Sequence, residues 1–259
     1  MKIAIIGCGN MGGALAKRLA ATSSQQHEVL LYDTHIEKTQ ALAQDGYGMA
    51  CGSIVEAVES AEMIILAVKP GNLAAVAACI QHTAHSRHLV VSVLAGTSIQ
   101  TLKQLLPHAT IVRMMPNLPV VLGQGVIGVA ACEAVQSSMK DALTEVFTVL
   151  GKVYWLPEDK IDALTALAGS GPAFFYVMVE AMVDAGIAMG FPAQKALDIV
   201  YNMLYGSLLL LQQSQQHPAV LKWQIASPQG TTIAGLRKME ELALRGAIMN
   251  TFLAAFKRE

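Results

Sequence analysis

The chain has 259 residues, of which 53% are apolar and only 14% charged, against about 25% charged in an average soluble domain. Lys and Arg number 18, Asp and Glu 19, for a net charge of −1, which gives no electrostatic reason to bind nucleic acid or an anionic membrane surface. About 150 residues per domain sets an expectation of one to two domains, and so little charge implies a large core plus an interface buried between subunits.

In chain order, Lys2–Gly7 reads as a buried strand, Asn10–Ala21 as a helix, Glu28–Asp33 as a strand and Ile36–Asp45 as a helix. Met63–Lys69 and His88–Leu94 are further apolar strands with helices between them, and Thr110–Met115, Gly125–Ala131 and Lys152–Leu156 complete the set. Strands alternating with helices imply an α/β fold with a parallel, doubly wound, Rossmann-type sheet. The pattern changes near Pro157. Beyond it only helices are expected: Asp159–Ala168, Pro172–Met189, Pro192–Gln213, Pro218–Ala226, Thr232–Leu242 and Arg245–Lys257. Pro172, Pro192 and Pro218 fall where a first helical turn tolerates a missing N–H. The expected division is therefore a dinucleotide-binding domain, 1–157, followed by an all-helical domain, 158–259, with ligands in a cleft between them.

Cys8, Cys51, Cys79 and Cys132 form no C-x-x-C pair, so a disulfide framework is not expected and a reducing, cytoplasmic compartment is. The start, MKIAIIGCGNMGG, is not expected to be a secretory signal, because its short apolar run breaks into glycines. The uncharged stretches Met114–Cys132 and Ile199–Leu221 are interrupted by Pro and Gly or by Asn, Gln, His and Pro, so no transmembrane helix is expected.

Gly7-Cys8-Gly9-Asn10-Met11-Gly12 fits G-x-G-x-x-G, between a strand and a helix. In such a loop Gly7 permits the tight turn, Gly9 the close approach of backbone to pyrophosphate, and Gly12 the packing of helix on sheet. The helix start at Asn10 and Met11 offers free N–H groups and partial positive charge to phosphates. Asp33 lies where an acid accepts ribose hydroxyls, which leans towards NADH, because a 2′-phosphate about 4 Å away would be repelled by up to ~4 kcal/mol. Lys38 could offset this, and Asp33 could instead cap a helix. His82, His85 and His88 have metal-like spacing but no nearby carboxylate or thiolate, so they are read as solvated surface and no metal site is expected.

Several separated motifs then coincide: the N-terminal loop, Ala67-Val68-Lys69-Pro70, Ser92-Val93-Leu94-Ala95-Gly96, Met115-Pro116-Asn117, Gly169-Ser170-Gly171-Pro172-Ala173 and Ser227-Pro228-Gln229-Gly230-Thr231-Thr232-Ile233. Their order and spacing resemble the pyrroline-5-carboxylate reductase family over essentially the whole chain. The resemblance implies reduction of the C=N bond of 1-pyrroline-5-carboxylate to L-proline by NADPH or NADH, the last step of proline biosynthesis. It implies Thr232 as the group that holds the ring nitrogen. It also implies a carboxylate nest from the Ser227 hydroxyl and the N–H groups of Gly230 and Thr231. Ala67, Val68, Lys69, Pro70, Ala95, Gly96 and Asn117 would border the nicotinamide half, with Asn117 also near the substrate. A homodimer or higher homo-oligomer through the helical domain is implied, and the exposed-looking run Leu208–Leu211 fits a partner surface.

Three positions depart from the family habit. Gln229 stands where Gly is usual, Trp223 where an acid is common, and Asp33-Thr34 where Asn-Arg or Ser-Arg suits NADPH. If the backbone at Gln229 has φ > 0, the side chain costs about 1 kcal/mol or more. Two other readings compete. A hydroxyacid dehydrogenase of similar architecture needs a proton donor such as Lys, and Ala168–Phe175 contains no ionisable side chain. A dinucleotide-binding regulator would have no need of the Ser227–Thr232 loop. The Ser227–Thr231 segment could also be a simple helix cap.

Overall fold

The structure, a computed structural model, describes residues 1–21, 27–85 and 87–257. It divides into two compact units, Met1–Gly169 and Ser170–Glu259.

In the first unit, β1 (Lys2–Ile6), β2 (Glu28–Tyr32), β3 (Met49–Ala50), β4 (Met63–Leu66), β5 (Leu89–Ser92), β6 (Thr110–Pro116), β7 (Gly125–Ala131) and β8 (Gly151–Trp155) form one sheet in the order β3-β2-β1-β4-β5-β6-β7-β8. The interior strands β1 and β4 carry continuous apolar runs, IAII after the exposed Lys2 and MIIL, all of them buried, the pattern of parallel strands covered on both faces. β8 alternates half-buried and exposed residues, as an edge strand with one wet face should. The helices that alternate with the strands are α1 (Asn10–Ala20), α2 (Ile36–Gln44), α3 (Ile54–Glu59), α4 (Leu73–Ile80), α5 (Ile99–Leu105) and α6 (Ser137–Thr148). The strand order reverses between β1 and β4, which opens a crevice at the carboxyl ends of those two strands.

One feature of the expected all-parallel sheet is corrected. β7 runs antiparallel to β6 and parallel to β8. The link from Asn117 to Gln124 holds only a 3₁₀ turn, Leu118–Leu122, and a parallel return takes a dozen or more residues. The expected helix Asp159–Ala168 is also broken into a 3₁₀ turn (Glu158–Lys160), the short α7 (Ile161–Leu164) and a π turn (Thr165–Gly169). Thr165 Oγ1 donates to the Ile161 carbonyl at 2.7 Å, a side-chain bond that competes with the regular ladder. This segment is seated on the sheet by Arg113 of β6, which is buried and pairs with Asp162 at 2.9 Å and Glu158 at 3.5 Å.

The second unit consists of α8 (Gly171–Ala188), α9 (Ala193–Ser214), α10 (Pro218–Ile225), α11 (Thr231–Glu241) and α12 (Leu244–Lys257). Pro172 and Pro218 lie in first turns as expected, whereas Pro192 is the residue before α9. Little of this unit is covered within one chain: α8 buries only Val179, and α11 and α12 bury nothing. The helical run Glu158–Ala188 is long and apolar enough to cross a membrane by length and composition alone, with mean hydropathy 1.4.

Candidate active site

The turn after β1 is built so that two of its glycines are dictated by the protein and one is not. Gly7 has φ +99°, and a Cβ there would stand 2.7 Å from the Ala67 carbonyl oxygen. Its N–H donates to the Tyr32 carbonyl at 2.8 Å. A Cβ on Gly12 would overlap the Gly7 carbonyl, so α1 packs directly on its own loop. Gly9 is different: a Cβ there would meet nothing within 4 Å. The residue precedes α1, no side chain caps that helix, and its first turn holds no acid. Space and unneutralised N–H groups at one helix start suit a phosphate, so the loop fits a dinucleotide.

Asp33, just past β2, faces this loop. Its Oδ2 accepts from the Cys8 N–H at 2.7 Å, and its Oδ1 accepts from the His35 N–H at 2.9 Å. The His35 ring lies 3.2 Å and Lys38 Nζ 3.8 Å from Oδ1. Burial alone would raise its pKa, but the two N–H groups, the His35 ring and Lys38 outweigh it and hold the carboxyl below its usual range. Asp33 thus ties the His35 backbone just before α2 to the glycine loop, while α2 itself has no side-chain cap. The Cys8 thiol is pushed up to about 12, first by burial and then by the Asp33 charge. It is a packed thiol rather than a nucleophile.

A cleft of about 560 Å³ runs along the crevice. Of the residues predicted for a cofactor, it is lined by Gly7, Gly9, Asp33, Ala67, Val68 and Lys69. Thr34 also lines it, and so do His35 and Asn72, which sequence reasoning missed. The signal for His35 was its place two residues beyond the acid. Asn10, Met11 and Gly12 form the start of α1 behind the loop, and Pro70 begins a 3₁₀ turn. Ala95 and Gly96, the latter with φ +69°, follow β5, and Asn117 follows β6. All three lie beyond the carboxyl ends of their strands, outside the lining of the cleft.

The Ser227–Thr232 segment belongs to the second unit. Gln229 has φ +58°, the left-handed conformation that glycine adopts without strain. The expectation for Gly230 needs correcting: its N–H closes the turn onto the Ser227 carbonyl at 3.1 Å and does not point outward. A Cβ on Gly230 would overlap Ser227 Oγ, so a larger residue there would turn the hydroxyl away. α11 begins at Thr231, one residue earlier than expected, with no side-chain cap, which leaves Thr231, Thr232 and Ile233 to supply its first-turn N–H groups.

Two other features need placing. His88 is fully buried rather than solvated; its Nδ1 accepts from the His85 N–H at 3.1 Å, and the two rings are tilted by 32° with centroids 4.6 Å apart. Among the described residues no group of His, Cys, Asp or Glu is arranged to hold a metal ion. A concavity of about 950 Å³ lies between α8 and α9 and is lined mainly by apolar and tyrosine side chains such as Phe175, Val179, Tyr201 and Leu204. It is larger than the cofactor cleft but offers little polar chemistry, and is an uncovered helix face.

A pyrroline-5-carboxylate reductase from Synechocystis sp. is 34% identical over 259 residues, covering 100% of this chain and 97% of its own. The chain belongs to the pyrroline-5-carboxylate reductase family. The family model for pyrroline-5-carboxylate reductase dimerisation matches residues 158–259, and that for NADP oxidoreductase, coenzyme F420-dependent, matches residues 2–96. Among solved structures, the Plasmodium falciparum pyrroline carboxylate reductase with NADP bound has a TM-score of 0.89 at 27% identity and covers 100% of this chain and 96% of its own. The Streptococcus pyogenes 1-pyrroline-5-carboxylate reductase has a TM-score of 0.89 at 29% identity, with coverage of 100% and 97%. The uncovered apolar faces of α8 and α9 thus fall in the part of the chain that matches the reductase dimerisation model.

Proposed function

We propose that this chain reduces 1-pyrroline-5-carboxylate to L-proline with NAD(P)H, the last step of proline biosynthesis. The observation that carries this reading is the full-length match to pyrroline-5-carboxylate reductases, and the open Gly9 at the start of α1 supports it. When bound, NAD(P)H supplies the hydride to the imine carbon.

The residues of this chain bind and orient. Gly7, Gly9, Asn10, Met11 and Gly12 cradle the pyrophosphate, with the free N–H groups of α1 towards it. Asp33 faces the adenosine ribose, its charge offset by Lys38 and the His35 ring, so the site accommodates NADH and NADPH. Ala67 to Pro70, Ala95 and Gly96 border the nicotinamide half.

In the second unit the substrate carboxylate accepts from the Ser227 hydroxyl and from the N–H groups of Thr231, Thr232 and Ile233, at the positive end of α11. Thr232 Oγ1 accepts from the ring N–H. A cyclic imine enters already protonated from water, so no acidic side chain is needed beside it. That agrees with the absence of ionisable side chains from Ala168 to Phe175, where an alcohol-forming dehydrogenase would need a proton donor.

The chain acts as a homodimer or larger homo-oligomer in the cytoplasm. Phe175, Tyr176, Tyr201, Tyr205 and Leu208 are each at least 46% exposed in one chain, more apolar surface than a monomer leaves open, and the same need explains the hydropathy of α8 without a membrane. The reading is tested by following the 340 nm absorbance of NADPH, and separately of NADH, with pyrroline-5-carboxylate and identifying proline as the product. Turnover with at least one cofactor is expected; folded protein that consumes neither would overturn it.

A further inference from the structure

We propose that Asn117 is a positioning residue for this reaction: its buried side chain clamps the π turn Thr165–Gly169 to the carboxyl end of β6, and does not itself contact cofactor or imine. The inference rests on the reductase reading above and deepens it. Asn117 is 7% exposed and follows β6 directly. Its Nδ2 donates to the Ala168 carbonyl at 2.8 Å, and its Oδ1 accepts from the Val126 N–H of β7, also at 2.8 Å. A carbonyl on one side and an N–H on the other admit only this orientation of the amide. Each end of the side chain thus holds the backbone of another segment, and Asn117 is not among the residues that line the cleft.

The residue type follows from that geometry. The position needs a donor and an acceptor on one short planar group. Asp would turn an oxygen towards the Ala168 oxygen, and Ala would remove the partner of a half-buried carbonyl and a half-buried N–H.

The π turn is the part of the segment that needs the clamp. Its N-terminal side is already fixed by the Arg113 pairs to Glu158 and Asp162. It is also fixed by Gly128 of β7, where a Cβ would overlap Leu164 Cδ2. Asn117 supplies the corresponding hold at Ala168. Single π turns inside helices are frequent at functional sites, and this one is tied to the carboxyl end of a strand, the edge where doubly wound sheets place their ligands.

The test is Asn117→Asp in the full chain, with Asn117→Ser as the second variant should the first not fold. Three quantities are read: amide hydrogen exchange over residues 165–169, the Kd of NADPH by fluorescence, and kcat and KM for pyrroline-5-carboxylate. The expected result is exchange at least tenfold faster in the turn, kcat at least tenfold lower, and Kd and KM changed less than twofold. A tenfold weaker Kd with unchanged exchange would make Asn117 a cofactor contact and overturn the proposal. Faster exchange with kcat intact would overturn it as well, by separating the turn from the reaction. The exchange and Kd readings need no turnover, so an inactive wild-type enzyme, which defeats the reductase reading, is a different result from an unclamped turn.

Discussion

The carboxylate of Asp33 accepts a hydrogen bond from the Cys8 backbone N–H at 2.7 Å, so the acid that ends the second strand also fastens the loop that ends the first. A residue read from sequence as a ribose acceptor is at the same time a brace for the phosphate cradle. Replacing it therefore acts on both. Asp33→Ala is expected to weaken the binding of either cofactor and to raise the ratio of kcat/KM for NADPH over NADH at least tenfold, equivalent to about 1.4 kcal/mol. Parallel kinetics with the two cofactors check this, and an unaltered ratio would place the ribose away from Asp33.

Thr232 is the main polar partner proposed for the ring nitrogen. Thr232→Ala is expected to lower kcat/KM for pyrroline-5-carboxylate more than tenfold while the Kd of the cofactor holds, since only a substrate contact is removed. Steady-state kinetics alongside cofactor titration decide it; unchanged kinetics would remove Thr232 from that role.

Gln229 occupies the left-handed region at φ +58°. A non-glycine residue there costs about 1–2 kcal/mol, and glycine gives back part of that through its freer unfolded chain. Gln229→Gly is expected to stabilise the protein by about 0.5–1 kcal/mol. Urea denaturation measures it, and a lowered midpoint with unchanged slope would show that the side chain makes a compensating contact.

His88 is buried, and its pKa is lowered from an ordinary value near 6.5, first by that burial and then by the charges of His85 and Arg87. The folded state therefore favours the neutral ring while the unfolded chain takes up a proton more readily. The stability this contributes is present above pH 6.5 and is lost as the pH falls through the lower folded value. His27, also lowered chiefly by burial, adds in the same direction. Denaturation midpoints between pH 7.5 and 5 are expected to fall with acid, and less steeply in His88→Asn; equal slopes would assign the effect elsewhere.

How much of this was legible in the sequence depended on the range of the physics involved. The apolar runs of β1 and β4 and the glycine loop between β1 and α1 are local patterns, and the structure has all three, with β1 ending one residue and β4 three residues earlier than read. The left-handed turn at Gln229 was legible through family habit. What escaped was set by distant partners. β3 has two residues, too few for any periodicity. The reversal of β7 depends on a short link rather than on the strand's own residues. The turn at Thr165–Gly169 takes a hydrogen bond from Asn117, far away in sequence, which no local pattern announces. His88 was misjudged because a polar neighbourhood in sequence folds so that this ring alone is buried, beneath the exposed His85. The outward N–H of Gly230 was misassigned because the turn it closes, onto Ser227, is invisible in a motif.

The central claim is direct hydride transfer from the cofactor to the imine carbon, and NADPH carrying deuterium at nicotinamide C4 tests it most directly. With pyrroline-5-carboxylate as substrate, the account predicts one deuterium at the δ carbon of the proline formed, from one of the two C4 positions only. Unlabelled proline, or no proline from folded enzyme, would contradict it.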